Sequence, residues 1–215
     1  MQYTRDGRPP LTVVQAPTSR PNNNPTQEPD PGPDVDLRHV TFAARLLLAA
    51  LRVDLSTAAR AHSAEHMAQA LAAMVTTSGL DLQTLTNETG HQELIVSKDI
   101  GFRALCEEHM LPLCGRVHVG YIPGAVLLAP SEPTKVVRHF SRQPQSPQRL
   151  ACQVANWLNW RVEPRGIGVV IHAEHSCDAA LDVTEPANTV TSSLVGQLCD
   201  NAQLRAHFLA LTSSS

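Results

Sequence analysis

The spacing of the apolar residues changes near Gly90, and this change constrains the fold more than any other feature of the sequence. Between residues 39 and 79, apolar residues recur every three or four positions, as they do along the buried face of a helix. After Gly90 they alternate with polar residues, for example over residues 116–121, as in a half-buried strand. A chain that begins with helices and continues with alternating strands predicts an α+β domain with an antiparallel sheet.

The boundaries of the predicted elements come from capping and turn residues. Ser146 followed by Pro147 is typical of a helix start, and the pair Pro123-Gly124 predicts a turn. The predicted order is helices from 39 and 63, strands at 93–105 and 116–121, helices at 133–142 and from 147, strands at 166–174 and 189–194, and a helix from 200. The apolar stripe of the first helix is predicted to lie in the core, with Val40, Ala44, Leu47 and Leu51 among its members.

Residues 1–36 differ in composition from the rest of the chain. They are rich in Pro, Asn, Thr and Asp, which bury little apolar surface, so this segment is predicted to be a disordered N-terminal extension. Residues 37–215 are predicted to form one domain, because a chain of 215 residues with 42% hydrophobic residues is long enough for one substantial core.

Composition and charge exclude several classes of function. The formal net charge of −3 argues against nucleic-acid binding, which favours a basic excess. No apolar run approaches the roughly 20 residues of a membrane span. The odd number of cysteines, five, and an N-terminus without a secretory apolar region predict a cytoplasmic protein rather than a disulfide-linked one.

Two short cysteine and histidine motifs are the strongest indication of chemistry. Cys106 and His109 form Cys-x-x-His, and His175 and Cys177 form His-x-Cys far downstream. Two thiolates and one imidazole are typical ligands of a catalytic Zn²⁺, whose fourth position is left for water. Spacing alone leaves the alternative open that these are ordinary core or surface residues.

Four sequence blocks together carry a family resemblance. CEEHMLPLCGRVHVGYIP, SRQPQSPQRL, HAEHSC and VTSSLVGQL occur in this order, and the region of residues 38–215 resembles the GTP cyclohydrolase I family. The resemblance implies the tunnelling fold, an antiparallel sheet with helices packed on one face, assembled into a ring that is commonly a homodecamer. It also implies active sites at subunit interfaces and a small heterocyclic substrate.

The resemblance assigns roles to individual positions. Cys106, His109 and Cys177 match the zinc ligands, His175 matches a histidine that transfers protons, and Ser131 matches a serine near the substrate's ribose and phosphates.

Departures from the family pattern cluster where GTP would be held. Glu108 replaces a histidine beside the metal, and Glu132 replaces a lysine after Ser131. Further differences are Lys135 for an arginine, Leu181 for another arginine, His66 on the second helix for a third cation position, and Gln148 for the glutamate that reads guanine. A triphosphate carries about four negative charges, so the loss of cations predicts weak GTP binding.

These departures favour a zinc hydrolase that attacks a C=N carbon of a purine, imidazole or related heterocycle other than GTP. By analogy with zinc nucleobase deaminases, Glu108 is predicted to move protons, with His175 as a second donor. Ser131, Gln148, Lys135, Glu132 and His66 are the remaining candidate site residues. Two alternatives stay open: a true GTP cyclohydrolase I of the folate or pterin pathway, and a non-catalytic subunit that binds a pterin or a partner.

Overall fold

The computed structural model describes residues 34–77, 79–175 and 187–213, to which the following description refers. The helices in these ranges are α1 (Leu37–Ala50), α2 (Ser63–Val75), α3 (Glu132–Ser141), α4 (Pro147–Val162), α5 (Gln197–Asp200) and α6 (Ala202–Thr212). The strands are β1 (Thr84–Thr86), β2 (Ile95–Cys106), β3 (Pro112–Ile122), β4 (Val126–Leu128), β5 (Pro144–Gln145), β6 (Gly166–His175) and β7 (Ala187–Gly196).

A five-stranded sheet forms the centre of the molecule, in the order β5-β2-β3-β6-β7. Its long strands pair antiparallel, as the sequence predicts. The two-residue strand β5 is the exception, because it pairs parallel to the end of β2 through Leu105↔Pro144 and Cys106↔Gln145. Strands β1 and β4 form a separate two-stranded sheet.

One face of the sheet carries the main hydrophobic core. Val117, Val119 and Ile171 pack in one buried cluster with Leu150 and Val154 of α4. Helix α4 begins as predicted, because the Ser146 hydroxyl accepts a hydrogen bond from the Arg149 amide at 3.4 Å and Pro147 occupies the first helical position. Helices α3 and α4 therefore cover this face.

The C-terminal helix α6 packs on the opposite face, so the prediction of helices on one face only is wrong. Phe208 of α6 is fully buried and belongs to a second cluster with Val170 and Leu198. Its ring lies directly over Gly120 and Gly168, where an added Cβ would come within 2.5 Å of ring carbons. These two glycines alternate with core residues along β3 and β6, so they face away from α4. Glycine is required here because the aromatic ring occupies the space of a side chain.

Helices α1 and α2 pack against each other, and the apolar stripe of α1 is only partly buried. Asp36 caps α1 by accepting hydrogen bonds from the amides of Arg38 and His39. Ala44 is buried, but Leu47 and Leu51 are 47% and 65% exposed. The prediction that this stripe lies in the core is therefore wrong for the single chain. A 3.6-residue period shows which side of a helix is apolar, but it does not show what covers that side.

The mixed α+β class is confirmed, whereas the division at residue 36 stays a prediction, because residues 1–33 lie outside the described ranges. Among the helices that the structure describes, none combines the length and the apolar character that crossing a membrane requires.

Candidate functional site

The Cys106-x-x-His109 motif forms the tight loop between β2 and β3. The amide of Cys106 donates to the Leu111 carbonyl at 2.8 Å, and the amide of Met110 donates to the Cys106 carbonyl at 2.9 Å. Met110 has a φ of 53°, in the left-handed region, which lets the chain reverse within a few residues. The hairpin therefore folds the motif back on itself.

This hairpin brings the two predicted metal ligands together. Cys106 Sγ and His109 Nδ1 lie 3.7 Å apart, and Cys106 is buried to 8% exposure. Two ligands of one tetrahedral Zn²⁺, at bond lengths of about 2.3 Å for sulfur and 2.0 Å for nitrogen, would be about 3.6 Å apart. The pair therefore fits two adjacent positions of a zinc site.

The downstream motif approaches the same end of the sheet. Strand β6 ends at His175, and the pairing Cys114↔Glu174 places that end beside the start of β3, next to the Cys106 hairpin. Cys177, the third predicted ligand, lies outside the described residues. Within the described ranges, no group of three or more potential metal-ligating side chains comes together.

Three predicted site residues lie together at the start of α3. Glu132 is fully buried, and its carboxylate accepts hydrogen bonds from Lys135 Nζ at 2.8 Å, the Gln83 amide at 3.2 Å and the Ser131 hydroxyl at 3.2 Å. Burial raises the pKa of Glu132, but the hydrogen bonds outweigh it and the pKa is lowered overall. The charge of Glu132 is thus satisfied inside the protein by Lys135, instead of facing outward toward a substrate.

The other predicted residues occupy exposed positions. Glu108 is exposed in the hairpin beside His109, and Gln148 is exposed in the first turn of α4. Gln148 lies three residues after Gln145, which pairs with Cys106 in the sheet, so the start of α4 follows directly from the contact with the metal-ligand strand. His66 is exposed on α2, where its ring centroid lies 6.3 Å from that of His62.

Sequence reasoning missed three residues in and beside the hairpin: Glu107, Gln145 and Arg149. Arg149 Nη1 contacts Glu107 Oε2 at 2.8 Å, and Arg149 Nε donates to Gln145 Oε1 at 3.1 Å. The sequence shows an acid, Glu107, beside a predicted metal ligand and a base, Arg149, in the first turn of a capped helix. Their pairing depends on the parallel contact of β5 with β2, which no local pattern indicates.

Comparison with known proteins identifies the family. The family model for GTP cyclohydrolase I matches residues 40–213. The chain belongs to the GTP cyclohydrolase I family. The GTP cyclohydrolase 1 of Aquifex aeolicus is 34% identical over 178 residues, which cover 82% of this chain and 97% of that protein. The GTP cyclohydrolase 1 of Gloeobacter violaceus is 36% identical over 174 residues, covering 79% and 81%.

A third relative, GTP cyclohydrolase 1 of Sulfurihydrogenibium sp., is 39% identical over 133 residues, covering 61% of this chain and 71% of that protein. A solved structure, an archaeosine synthase QueF-Like in the apo form, matches 46% of this chain and 92% of its own with 20% identity and a TM-score of 0.37. This similarity is too small to support a conclusion about the fold or the function of this chain. Membership of the GTP cyclohydrolase I family supports the prediction of a hydrolase acting on C–N bonds.

The prediction of a substrate other than GTP is contradicted by these relatives. Relatives at 30–39% identity, several of them matching most of the chain, carry the name GTP cyclohydrolase 1. The physical flaw in the prediction was to treat Glu132 as a repulsive charge in the substrate pocket, although its carboxylate is buried and paired with Lys135. The count of cations also compared family positions only, and so omitted the exposed Arg138 on α3 and Arg142 at the C-cap of that helix.

Proposed function

We propose that this protein is a zinc-dependent GTP cyclohydrolase I that converts GTP to 7,8-dihydroneopterin triphosphate in a folate or pterin pathway. The observation that carries the proposal is the match to the Aquifex relative along 97% of that protein's length. The hairpin geometry supports it, because Cys106 and His109, which match zinc ligands of the family in sequence, lie within 3.7 Å of each other.

Cys106, His109 and Cys177 would hold the zinc ion. When bound, Zn²⁺ acts as a Lewis acid that activates water for attack on a C–N bond. The donor set is suited to this metal, since thiolate and imidazole are both preferred zinc ligands. The 3.7 Å separation of Cys106 Sγ and His109 Nδ1 requires little rearrangement for joint coordination.

Proton transfer is assigned to Glu108 and His175. Glu108 is exposed in the hairpin one position before His109, so its carboxylate is accessible to a substrate held beside the metal. A carboxylate can take a proton from water and return it to a departing nitrogen, which is general acid–base catalysis. His175, at the end of β6, is the second proton donor in this proposal.

Substrate binding is assigned to Ser131 and Lys135 at the start of α3 and to Gln148 at the start of α4. The Lys135 side chain is 44% exposed although its Nζ contacts Glu132, and an ammonium has three N–H donors, so it retains donors for a phosphate oxygen. Gln148 offers both an amide donor and an amide acceptor to the edge of a base. His66, exposed on α2, is a further candidate substrate-binding residue from the sequence.

A ring of identical subunits belongs to the same proposal. Within the described residues, β5 covers only Leu105 and Cys106 of the outer edge of β2, and β7 forms the other edge of the sheet. Two open edges on one sheet favour head-to-tail pairing between copies, and such contacts form a ring when the rotation between neighbouring copies closes. Phe42 and Leu47 of α1 and Leu51 at its C-cap are exposed and apolar, and they offer a second surface for a neighbouring copy. We propose a homodecamer with active sites at the subunit interfaces.

The test is GTP turnover by matched cysteine variants. Cys106→Ser removes a proposed ligand, whereas Cys152→Ser changes an exposed cysteine on α4. The proposal expects Cys106→Ser to lose bound zinc and product formation, and Cys152→Ser to keep both. Full activity of a zinc-free Cys106→Ser protein would overturn the metal assignment.

A further inference from the structure

Arg149 connects the metal-ligand hairpin to the start of α4. Its guanidinium contacts Glu107 Oε2 at 2.8 Å, Gln145 Oε1 at 3.1 Å and the carbonyl oxygen of Pro144. Glu107 follows the metal ligand Cys106 directly, and Pro144 and Gln145 are the residues of β5 that pair with the end of β2. Arg149 therefore contacts both the residue that follows Cys106 in sequence and the strand that pairs with Cys106 in the sheet.

Both the side chain and the backbone of Gln145 are held by hydrogen bonds. It is fully buried, and its side-chain amide donates to the Phe140 carbonyl at 2.6 Å and to Gln153 Oε1 at 2.7 Å. Its own carbonyl accepts the Glu107 amide at 3.0 Å. Arg149 therefore anchors the hairpin to a rigid contact between α3 and α4 rather than to a mobile surface side chain.

The chemistry of arginine suits this task. A guanidinium is planar and presents several N–H donors in a fixed fork, whereas a lysine ammonium is a compact charge on a flexible stem. Arg149 is 26% exposed and Glu107 is 35% exposed at the side chain, so water competes only partly for the pair. A lysine at this position would keep the charge but could not contact three acceptors at their present positions.

We propose that Arg149 is a positioning residue, which fixes the Cys106–His109 hairpin relative to Gln148, the residue before it on α4. The proposal rests on the proposed function in one respect: it takes the hairpin to hold zinc and Gln148 to contact the substrate. Arg149 acts through Glu107, Pro144 and Gln145 and does not contact the reacting atoms.

The first measurement is the rate at which zinc-loaded protein releases zinc to a chromophoric chelator. Residues that support metal ligands typically change metal affinity by about 10- to 100-fold when they are altered. We expect Arg149→Lys and Glu107→Gln each to release zinc about tenfold faster than wild type, and the double variant to be no faster than the quicker single variant. The matched control is Arg161→Lys, an exposed arginine in the last turn of the same helix, which should release zinc at the wild-type rate.

A second measurement separates positioning from general stability. With GTP, Arg149→Lys should raise KM and lower kcat together, because the hairpin and Gln148 move relative to each other. Unchanged zinc release in both Arg149→Lys and Glu107→Gln would overturn the proposal, as would strictly additive effects in the double variant. If Arg149→Lys does not fold, Glu107→Gln alone decides.

Zinc release requires no GTP, so the two proposals fail separately. If the wild-type protein does not turn over GTP but the variants release zinc faster than it does, the proposed function is refuted and the positioning role remains supported.

Discussion

Glu132 and Lys135 form an ion pair of 2.8 Å in which the Glu132 side chain is completely buried and the Lys135 side chain is 44% exposed. Sequence reasoning placed both residues in the substrate pocket as independent charges. In the fold, the acid belongs to the interior, where it also accepts the Gln83 amide, and only the lysine reaches the surface. A phosphate would therefore meet the N–H donors of Lys135, whose positive charge the buried carboxylate partly offsets.

Glu132→Gln should destabilise the protein near neutral pH by about 1–3 kcal/mol, the range for a hydrogen bond to a charged group. The pKa of Glu132 is lowered from its ordinary value of 4.5, so its contribution is present above pH 4.5 and is lost as the pH falls through the folded-state pKa. Urea unfolding at pH 7 and below pH 4 should show a difference between wild type and variant that shrinks in acid. Glu88→Gln, at an exposed position, is the control, and a difference independent of pH would contradict the assignment.

Between pH 7.5 and 5.5, the His118→Gln variant should lose less folding stability than the wild type does. Burial, opposed by Asp99, lowers the pKa of His118 below its ordinary value of 6.5, and Nδ1 accepts the Asp99 amide at 3.3 Å, which requires an unprotonated nitrogen. The unfolded chain therefore binds the proton more readily, and stability falls as the pH drops below 6.5. The variant should cost about 1–3 kcal/mol at pH 7.5 and titrate less than wild type. Melting curves across this range test it against exposed His207→Gln, and equal pH slopes in all three proteins would refute it.

Glu108→Gln should lower kcat for GTP by about 10²- to 10⁴-fold, the usual contribution of a general acid–base group, while the zinc content stays at the wild-type level. The amide keeps the size of the side chain but cannot take a proton. Glu108→His, which restores the residue of the family pattern, should keep activity and shift the pH profile. Unchanged turnover in Glu108→Gln would remove this residue from the proton-transfer role.

Local sequence patterns predicted the long strands and helices that carry the site, but they did not predict the tertiary contacts between those elements. The Ser146-Pro147 cap depends on neighbouring residues and was confirmed. Strand β3 was also found, but the predicted half-buried alternation is wrong, because residues 117–122 are buried on both faces of the sheet. Strand β5 was missed because two residues carry no period and its pairing with Cys106 comes from tertiary contact. The placement of α6 on the second face depends on Phe208 meeting Gly120 and Gly168, which are distant in sequence.

The site shows the same division. Cys106 and His109 approach each other because a hairpin joins them, whereas their role as zinc ligands stays a prediction. The error over GTP came from charge: a residue's formal charge is readable from sequence, but the burial of Glu132 against Lys135 is not. Position-by-position comparison counted the acid as repulsion that the fold had already neutralised.

The most direct test of the proposed function is product formation from GTP by zinc-loaded protein, followed by the fluorescence of dihydroneopterin triphosphate after oxidation and by mass spectrometry. We expect sustained turnover of GTP, which should disappear with Cys106→Ser. Folded, zinc-loaded protein that leaves GTP unchanged over many hours would contradict it.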